Sequence, residues 1–235
     1  MTTRKAAAKP RTPKITLPAV DLIGQWDAVE FRRCWAAASG AASKDKSRPV
    51  LTRVQFRCYP AGVMLFATDS YVTCGAWLGP GGRPDEYAAA ADRTFTFDDR
   101  WGVFPKWLKE HPSKLQRGRM AKPVKAIRLV INDGHAIFDR ADDHGNGTDE
   151  VRFPIDTDLI AYPDIVALGK SVRPPAPIDA IGLGAGFESA SSIRAKAGAD
   201  AVVVESTGDA NSPQRWHLSG DAGHIRGLVM PVRFR

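Results

Sequence analysis

The stretch VLTRVQFRCY (Val50–Tyr59), PAG (Pro60–Gly62) and VMLFATDSYVTCGAWL (Val63–Leu78) decides the fold. Its first part alternates, with Leu51, Val54, Phe56 and Cys58 among the apolar positions, which is the period of a strand covered on one face. Pro60-Ala61-Gly62 is a turn signal. Val63–Leu78 then predicts two strands broken at Thr68–Ser70. Successive strands joined by such short turns pair antiparallel.

A helix precedes this group. In DAVEFRRCWAAASGAAS (Asp27–Ser43), Ala28, Phe31, Trp35 and Ala38 share one face at helical spacing. Asp27 followed by Glu30 resembles a capping box. The pattern then recurs. RTFTF (Arg93–Phe97) predicts a strand and DDRWGVFPKWLKEH (Asp98–His111) a helix, with Trp101, Phe104 and Leu108 on one face. Pro105 either bends that helix or starts its regular part. AIRLVIND, GHAIFDRA and EVRFPID follow as strands. A third pass runs from APIDAIGL through a helix (Phe187–Ala197) to the strands ADAVVVEST, RWHLSG and HIRGLVMPVRF. The order strand–helix–strand–strand–strand thus appears three times, at roughly 70-residue spacing. The expected class is α+β with antiparallel sheets.

The chain has 235 residues, 43% hydrophobic and 25% charged, as in an ordinary globular protein. No apolar run approaches the roughly 18 residues of a membrane span, so no membrane partner is expected. The first residues, MTTRKAAAKPRTPK, lack the apolar core of a secretory signal. Three cysteines, Cys34, Cys58 and Cys74, without paired spacing predict a reducing cytosol. Cys-x-x-Cys is absent, so no structural zinc is expected. The net charge is +7, but residues 1–14 hold five basic residues and no acid. Removing those five leaves 28 basic against 26 acidic residues, a body of +2. Residues 1–14 are expected to be a disordered basic tail, either solubilising or touching DNA phosphates.

Two stretches imitate ligand sites. IGLGAGFE (Ile181–Glu188) offers Gly182, Gly184 and Gly186, followed by a helix and a strand ending at Glu205. A dinucleotide fingerprint needs its third glycine at position 187, which is Phe, and further crossovers beyond Glu205. A turn entering a helix is the preferred reading. DDHGNGTDE (Asp142–Glu150) imitates a calcium loop through Asp142, His144, Asn146 and Gly147, but the twelfth position is Phe153, not Glu. A hairpin bend at Asn146-Gly147 fits better. The five histidines are scattered, and neither a nucleophile elbow nor a phosphate-binding loop occurs. The expectation is a protein that is not an enzyme, with no cofactor and no metal. Basic residues recur beside each helix: Arg32, Arg33, Lys44, Lys46 and Arg48 at the first; Arg100, Lys106 and Lys109, then Lys114, Arg117 and Arg119, at the second; Arg194 and Lys196 at the third. They are either solvated faces or surfaces offered to a phosphate backbone without base readout.

Three segments carry a family likeness. SRPVLTRVQF followed by VMLFATDSYV (Ser47–Val72) is similar to the repeat unit of bacterial DNA polymerase III beta sliding clamps, where an Arg-Pro-x-Leu strand leads to an Ala-Thr-Asp-Gly segment. AYPDIVAL (Ala161–Leu168) resembles that family's Phe-Pro-Asp-Tyr connector, and GLVMPVRFR resembles its C-terminal Val-Met-Pro-Met-Arg-Leu. The resemblance implies a DNA-clamp fold: a ring around duplex DNA, helices lining the hole and sheets outside. Residues 15–165 would form a first clamp domain and 166–235 a second, shortened one. It implies a processivity factor that binds double-stranded DNA without sequence preference, tethers a replicative polymerase, is opened by a clamp loader, and acts in the cytoplasm at the nucleoid or replication site. Carried over, the partner-peptide groove comprises Thr68, Ser70, Tyr71, Val72 and Thr73 with Val229, Met230, Pro231 and Val232, and Arg48 matches the Arg beside the Pro-x-Leu strand. Ser70 stands where the family has Gly, Val72 where it has Arg and Thr73 where it has Leu, which implies a narrower or more polar groove. By length the chain resembles two-domain clamps, which are trimers. Three half-domain units would instead need four chains for twelve helices, unless a degenerate unit lies between Ala161 and Pro177; a trimer is favoured over a tetramer. The short form suggests a phage or mobile element. The competing readings are a non-ring DNA-binding accessory module and, last, an NAD-binding oxidoreductase.

Overall fold

The computed structural model describes residues 21–80, 91–99, 102–109, 124–141, 147–159, 162–164, 184–205, 212–222 and 224–230. The basic tail (1–14), Arg100, Lys114, Arg117, Arg119, Pro231 and Val232 lie outside them, as does most of the segment between Ala161 and Pro177.

Among the described residues, eleven strands form one sheet in the order β1-β6-β7-β8-β5-β2-β3-β4-β11-β10-β9. They are β1 (Asp21–Asp27), β2 (Gln55–Tyr59), β3 (Gly62–Thr68), β4 (Thr73–Leu78), β5 (Arg93–Phe97), β6 (Ala126–Asn132), β7 (His135–Ala141), β8 (Gly147–Asp156), β9 (Val202–Glu205), β10 (Gln214–Leu218) and β11 (Ile225–Val229). Three helices accompany them: α1 (Ala28–Ala41), α2 (Val103–Lys109) and α3 (Gly184–Ala197). Every described strand pairing is antiparallel.

The first two units follow the expected order with their first strands exchanged, while the expected leading strand of the third (Ala176–Leu183) lies outside the described residues. β1 does not join the meander β2-β3-β4 that follows it; it pairs with β6, with Asp27 opposite Ala126. β5 in turn pairs with β2, with Phe56 opposite Phe95. Each of the first two units therefore gives its leading strand to the other's meander. Arg53 fastens the seam, reaching Asp156 at 2.7 Å and Asp98 at 3.8 Å.

Local chemistry explains the elements. Asp27 caps α1, its Oδ1 accepting from the N–H groups of Val29 (2.8 Å) and Glu30 (3.0 Å). The expected reciprocal half of a capping box is replaced: the Glu30 carboxylate meets Arg33, Cys34 and His224. The β6–β7 turn is Asp133-Gly134, both at positive φ (48° and 70°), the signature of a type I′ hairpin. α3 ends at Gly198 (φ 66°), where Gly198 N–H donates to Ala195 and Ala199 N–H to Arg194, a Schellman pair.

Two expectations need correction. Val50–Tyr59 is not one strand: Pro49–Thr52 is a 3₁₀ turn and β2 begins at Gln55. Pro49 fixes the backbone for the turn, and Thr52 Oγ1 donates back to its carbonyl at 2.7 Å. Leu51 and Val54 are buried three residues apart through that turn, not by strand alternation. The second helix is shorter than Asp98–His111. Asp99 accepts from the N–H groups of Val103 (2.7 Å) and Phe104 (3.2 Å), so α2 starts at Val103 and Pro105 falls in its first turn, where no N–H is required. Burial holds the Asp99 carboxyl above its ordinary range, with those two N–H groups pulling the other way.

One continuous core joins the helices to a single set of strand residues. An aromatic cluster occupies its centre: Trp35, Phe97, Phe138 and Phe153 surround Phe104. α1 and α3 meet through small residues. Gly40 of α1 faces Ile193 and Lys196 of α3, while Ala37, Ala38, Ala41, Ala190 and Ala197 are buried. A second, smaller cluster covers the sheet beyond Phe66, where Tyr162 lies 7% exposed with Val50 and Leu159. Its hydroxyl donates to the Phe66 carbonyl at 3.3 Å, and burial pushes its pKa above the ordinary phenol value. The Tyr-Pro-Asp segment is thus a clasp on the meander.

Candidate functional site

The residues that the resemblance assigns to a partner-peptide groove, Thr68–Thr73 and the chain end, meet in the fold as far as they are described. β4 and β11 pair through Ala76 with Ile225 and Gly75 with Arg226, and Val72 bridges Val229. Met230 N–H donates to the Tyr71 carbonyl at 2.8 Å. Between these points the regular ladder is interrupted, and side chains complete it. Thr73 Oγ1 accepts from Leu228 N–H at 2.8 Å, and Trp216 Nε1 donates to the Thr73 carbonyl at 3.1 Å. Gly227 lies directly against that carbonyl, where a Cβ has no room. Thr73, Trp216 and Gly227 therefore lock the third unit to the first.

The turn before β4 is fully hydrogen-bonded. Asp69 Oδ1 accepts from the N–H groups of Tyr71 (2.8 Å) and Val72 (2.9 Å), and Thr68 Oγ1 donates to the Val72 carbonyl (2.9 Å). Ser70 sits at φ 82°, in the left-handed region. Glycine, without a Cβ, adopts such a backbone at no steric cost. Asp69→Ala is expected to lower unfolding free energy by about 1–2 kcal/mol, whereas Ser70→Gly leaves it unchanged or raises it by about 0.5 kcal/mol, relieved strain exceeding chain entropy. Urea titration of both variants checks the opposite signs.

Burial divides the carried-over set. Thr68, Val72, Thr73 and Val229 are interior and build the junction. Ser70 and Tyr71 are exposed, Tyr71 at 63%, and Met230 is half-buried. Only these three present side chains from the described part of the groove.

The basic set is likewise sorted. Lys44 and Lys46 are exposed and share a cleft with Arg53, Asp98, Asp99 and Pro105, so the loop after α1 meets the start of α2. Lys106 and Lys109 are exposed on α2. Lys196 is exposed at the end of α3, and its stem crosses Gly40. Three arginines have local duties. Arg33 pairs with Glu30 at 3.3 Å. Arg48 Nη1 donates to Ser70 Oγ at 3.2 Å, which places it at the groove turn. Arg194 Nη1 donates to the carbonyls of Ala199 and Asp200, each at 3.2 Å, closing the end of α3. Arg32 is half-buried.

The imitation sites resolve differently. Gly184 begins α3, and β9, which ends at Glu205, pairs antiparallel with β10 at the sheet edge. A dinucleotide unit needs a parallel crossover there, and the described strands show none. Asp142, His144 and Asn146 lie outside the described residues, while Phe153, at the would-be metal position, stacks on Phe97 at 4.6 Å. One cluster had no sequence signal: Glu30, Cys34 and His224 converge although His224 lies 190 residues from Cys34.

No family model and no curated protein matches the sequence. Solved structures do. The DNA polymerase III beta subunit of Thermotoga maritima superposes with a TM-score of 0.57 at 11% identity, over 92% of this chain and 65% of its own. The beta chain of Streptococcus pneumoniae gives 0.56 at 12% identity, over 98% and 69%. The sliding clamp of Pseudomonas aeruginosa, in a structure bound to griselimycin, gives 0.57 at 12% identity, over 96% and 68%. This chain spans about two thirds of the length of those proteins. With these superpositions over an antiparallel sheet and few helices, the chain has the DNA sliding-clamp fold.

Proposed function

We propose that this chain is a subunit of a ring that encircles duplex DNA and tethers a replicative polymerase. The observation that carries this reading is the continuous antiparallel sheet, extended from the first two units into the third, in the clamp fold. Its two edges support closure by copies of the chain. β1 and β9 are the outer strands, and each carries an exposed apolar residue, Leu22 at 59% and Val203 at 40%. Unlike edges that meet head to tail generate a ring when the rotation closes. A trimer is the preferred assembly, with a loader to open it. The exposed lysines Lys44, Lys46, Lys106, Lys109 and Lys196 supply a sequence-independent attraction to phosphates. Ser70, Tyr71 and Met230 offer the partner peptide an apolar, shallow seat at the β4–β11 junction. The short chain fits a phage or mobile element.

The test is mass and topology together. Light scattering is expected to give three subunits. Protein loaded on a nicked circle is expected to stay bound at moderate salt and to be released by linearisation. Changing Lys44, Lys46 and Lys106 to Glu reduces the salt slope of equilibrium DNA binding by about 0.9 for each phosphate contact removed. A concentration-independent monomer, retained equally on linear and circular DNA, supports instead an accessory module bound through the basic tail.

A further inference from the structure

We propose that Glu30, Cys34 and His224 form a zinc site that ties the first unit to the third. Glu30 and Cys34 stand four residues apart on α1, hence one above the other on the same face. His224 arrives on the turn that leads into β11. Cys34 Sγ lies 3.5 Å from His224 Nε2 and 3.5 Å from Glu30 Oε1, and Nε2 lies 2.7 Å from Oε1. Zinc binds nitrogen and oxygen at about 2.0–2.2 Å and thiolate at about 2.3 Å, which sets tetrahedral ligand–ligand edges of roughly 3.3–3.8 Å. Both sulfur edges already have that length. The third edge is a hydrogen bond that must open by under about 1 Å, the proton on Nε2 giving way to the lone pair that binds metal.

The surroundings are those of a ligand set. Both contacts to the centre use Glu30 Oε1, while Oε2 receives Arg33 Nη1 at 3.3 Å, which fixes the carboxylate plane from behind. Cys34 is buried, while Glu30 and His224 remain part-exposed, so the centre has a dry sulfur floor and an access side. Burial, with the Glu30 carboxylate second, holds the thiol well above its ordinary range. Binding is therefore an exchange: the metal replaces the thiol proton, which leaves to solvent. Three protein ligands leave a fourth position for water. A thiolate with an imidazole selects zinc over magnesium or calcium.

The test uses the full chain, stripped with chelator and titrated with cobalt(II) and then zinc. A sulfur-to-cobalt charge-transfer band is expected, displaced by zinc. Zinc at a hundredfold excess over its Kd is expected to raise the thermal midpoint by about 5–10 °C. Cys34→Ser abolishes the band, His224→Ala weakens binding by at least tenfold, and Cys58→Ser changes neither. X-ray absorption of the wild-type zinc protein needs no variant to fold, and is expected to show one sulfur among nitrogen and oxygen neighbours. A shell without sulfur, no band, or a band that survives Cys34→Ser overturns the site and leaves a hydrogen-bonded triad.

Discussion

Gly227→Ala is expected to lower the unfolding free energy by more than about 3 kcal/mol. A methyl group on Gly227 would overlap the Thr73 carbonyl oxygen, and the same carbonyl accepts from the indole of Trp216. Neither neighbour can yield. Thr73 is held by its own β3 partner, Thr68, and Trp216 is 1% exposed among the core residues. β11 must therefore move away from β4, breaking the Leu228–Thr73 and Met230–Tyr71 hydrogen bonds with it. Because those bonds join the third unit to the rest, the transition is expected to split. Residues of β9–β11 should lose hydrogen-exchange protection before those of β2–β4. A variant with wild-type stability and one cooperative transition would show that the junction is looser than described. Tyr71 and Met230 are positioned by the same bonds, so the proposed peptide seat should be lost with the split.

Phe104→Ala is expected to cost about 3–5 kcal/mol. Phe104 is fully buried, and its ring lies 4.4 Å from Phe138, 4.6 Å from Trp35 and 5.3 Å from Phe97, centroid to centroid. It is the point where the seven-residue helix of the second unit enters the core built by α1 of the first. Truncation leaves a cavity ringed by aromatic edges that have no flexible side chain among them to fill it. Phe104→Leu should lose distinctly less, because most of the volume remains. Chemical denaturation of both variants checks the ranking; equal losses would mean that ring geometry, not volume, sets the cost.

How far the sequence could be read follows from the physics of each feature. α1 was legible because Ala28, Phe31, Trp35 and Ala38 share a face and Asp27 caps it. The strands β3, β4, β6 and β7 were legible because apolar runs bounded by a turn such as Pro60-Ala61 are local facts. Partners are not local. Nothing near Asp21–Asp27 announces that Ala126–Asn132 lies beside it, since alternation fixes which face is buried and not which strand is adjacent. The 3₁₀ turn at Pro49–Thr52 was hidden inside an apolar-rich run, although Leu51 and Val54, three apart, would not share a strand face. The resemblance set Thr68–Thr73 beside Val229–Met230, and the two segments are adjacent, but the sequence could not separate the interior Val72 and Val229 from the exposed Tyr71. Charge likewise marked Arg48, Arg33 and Arg194 without showing that each has a neighbour to serve. The Glu30–Cys34–His224 cluster was beyond reach, because metal-ligand spacing is legible only when the ligands are close in sequence.

The exchange of leading strands also sets the timing of synthesis. Asp27 meets Ala126, so β1 emerges from a ribosome 99 positions before its partner strand begins. At about 5–20 residues per second that is a wait of roughly 5–20 s. During it α1, with Phe31 and Trp35, has no second meander to lie on. Val72 waits longer still for Val229. Refolding dominated by such distant pairings is slow compared with that of a helical bundle. A nascent chain halted before β6 would hold its first strand unpaired, a natural client for a chaperone. The sheet that closes so many edges in the finished protein leaves them open longest while it is being made.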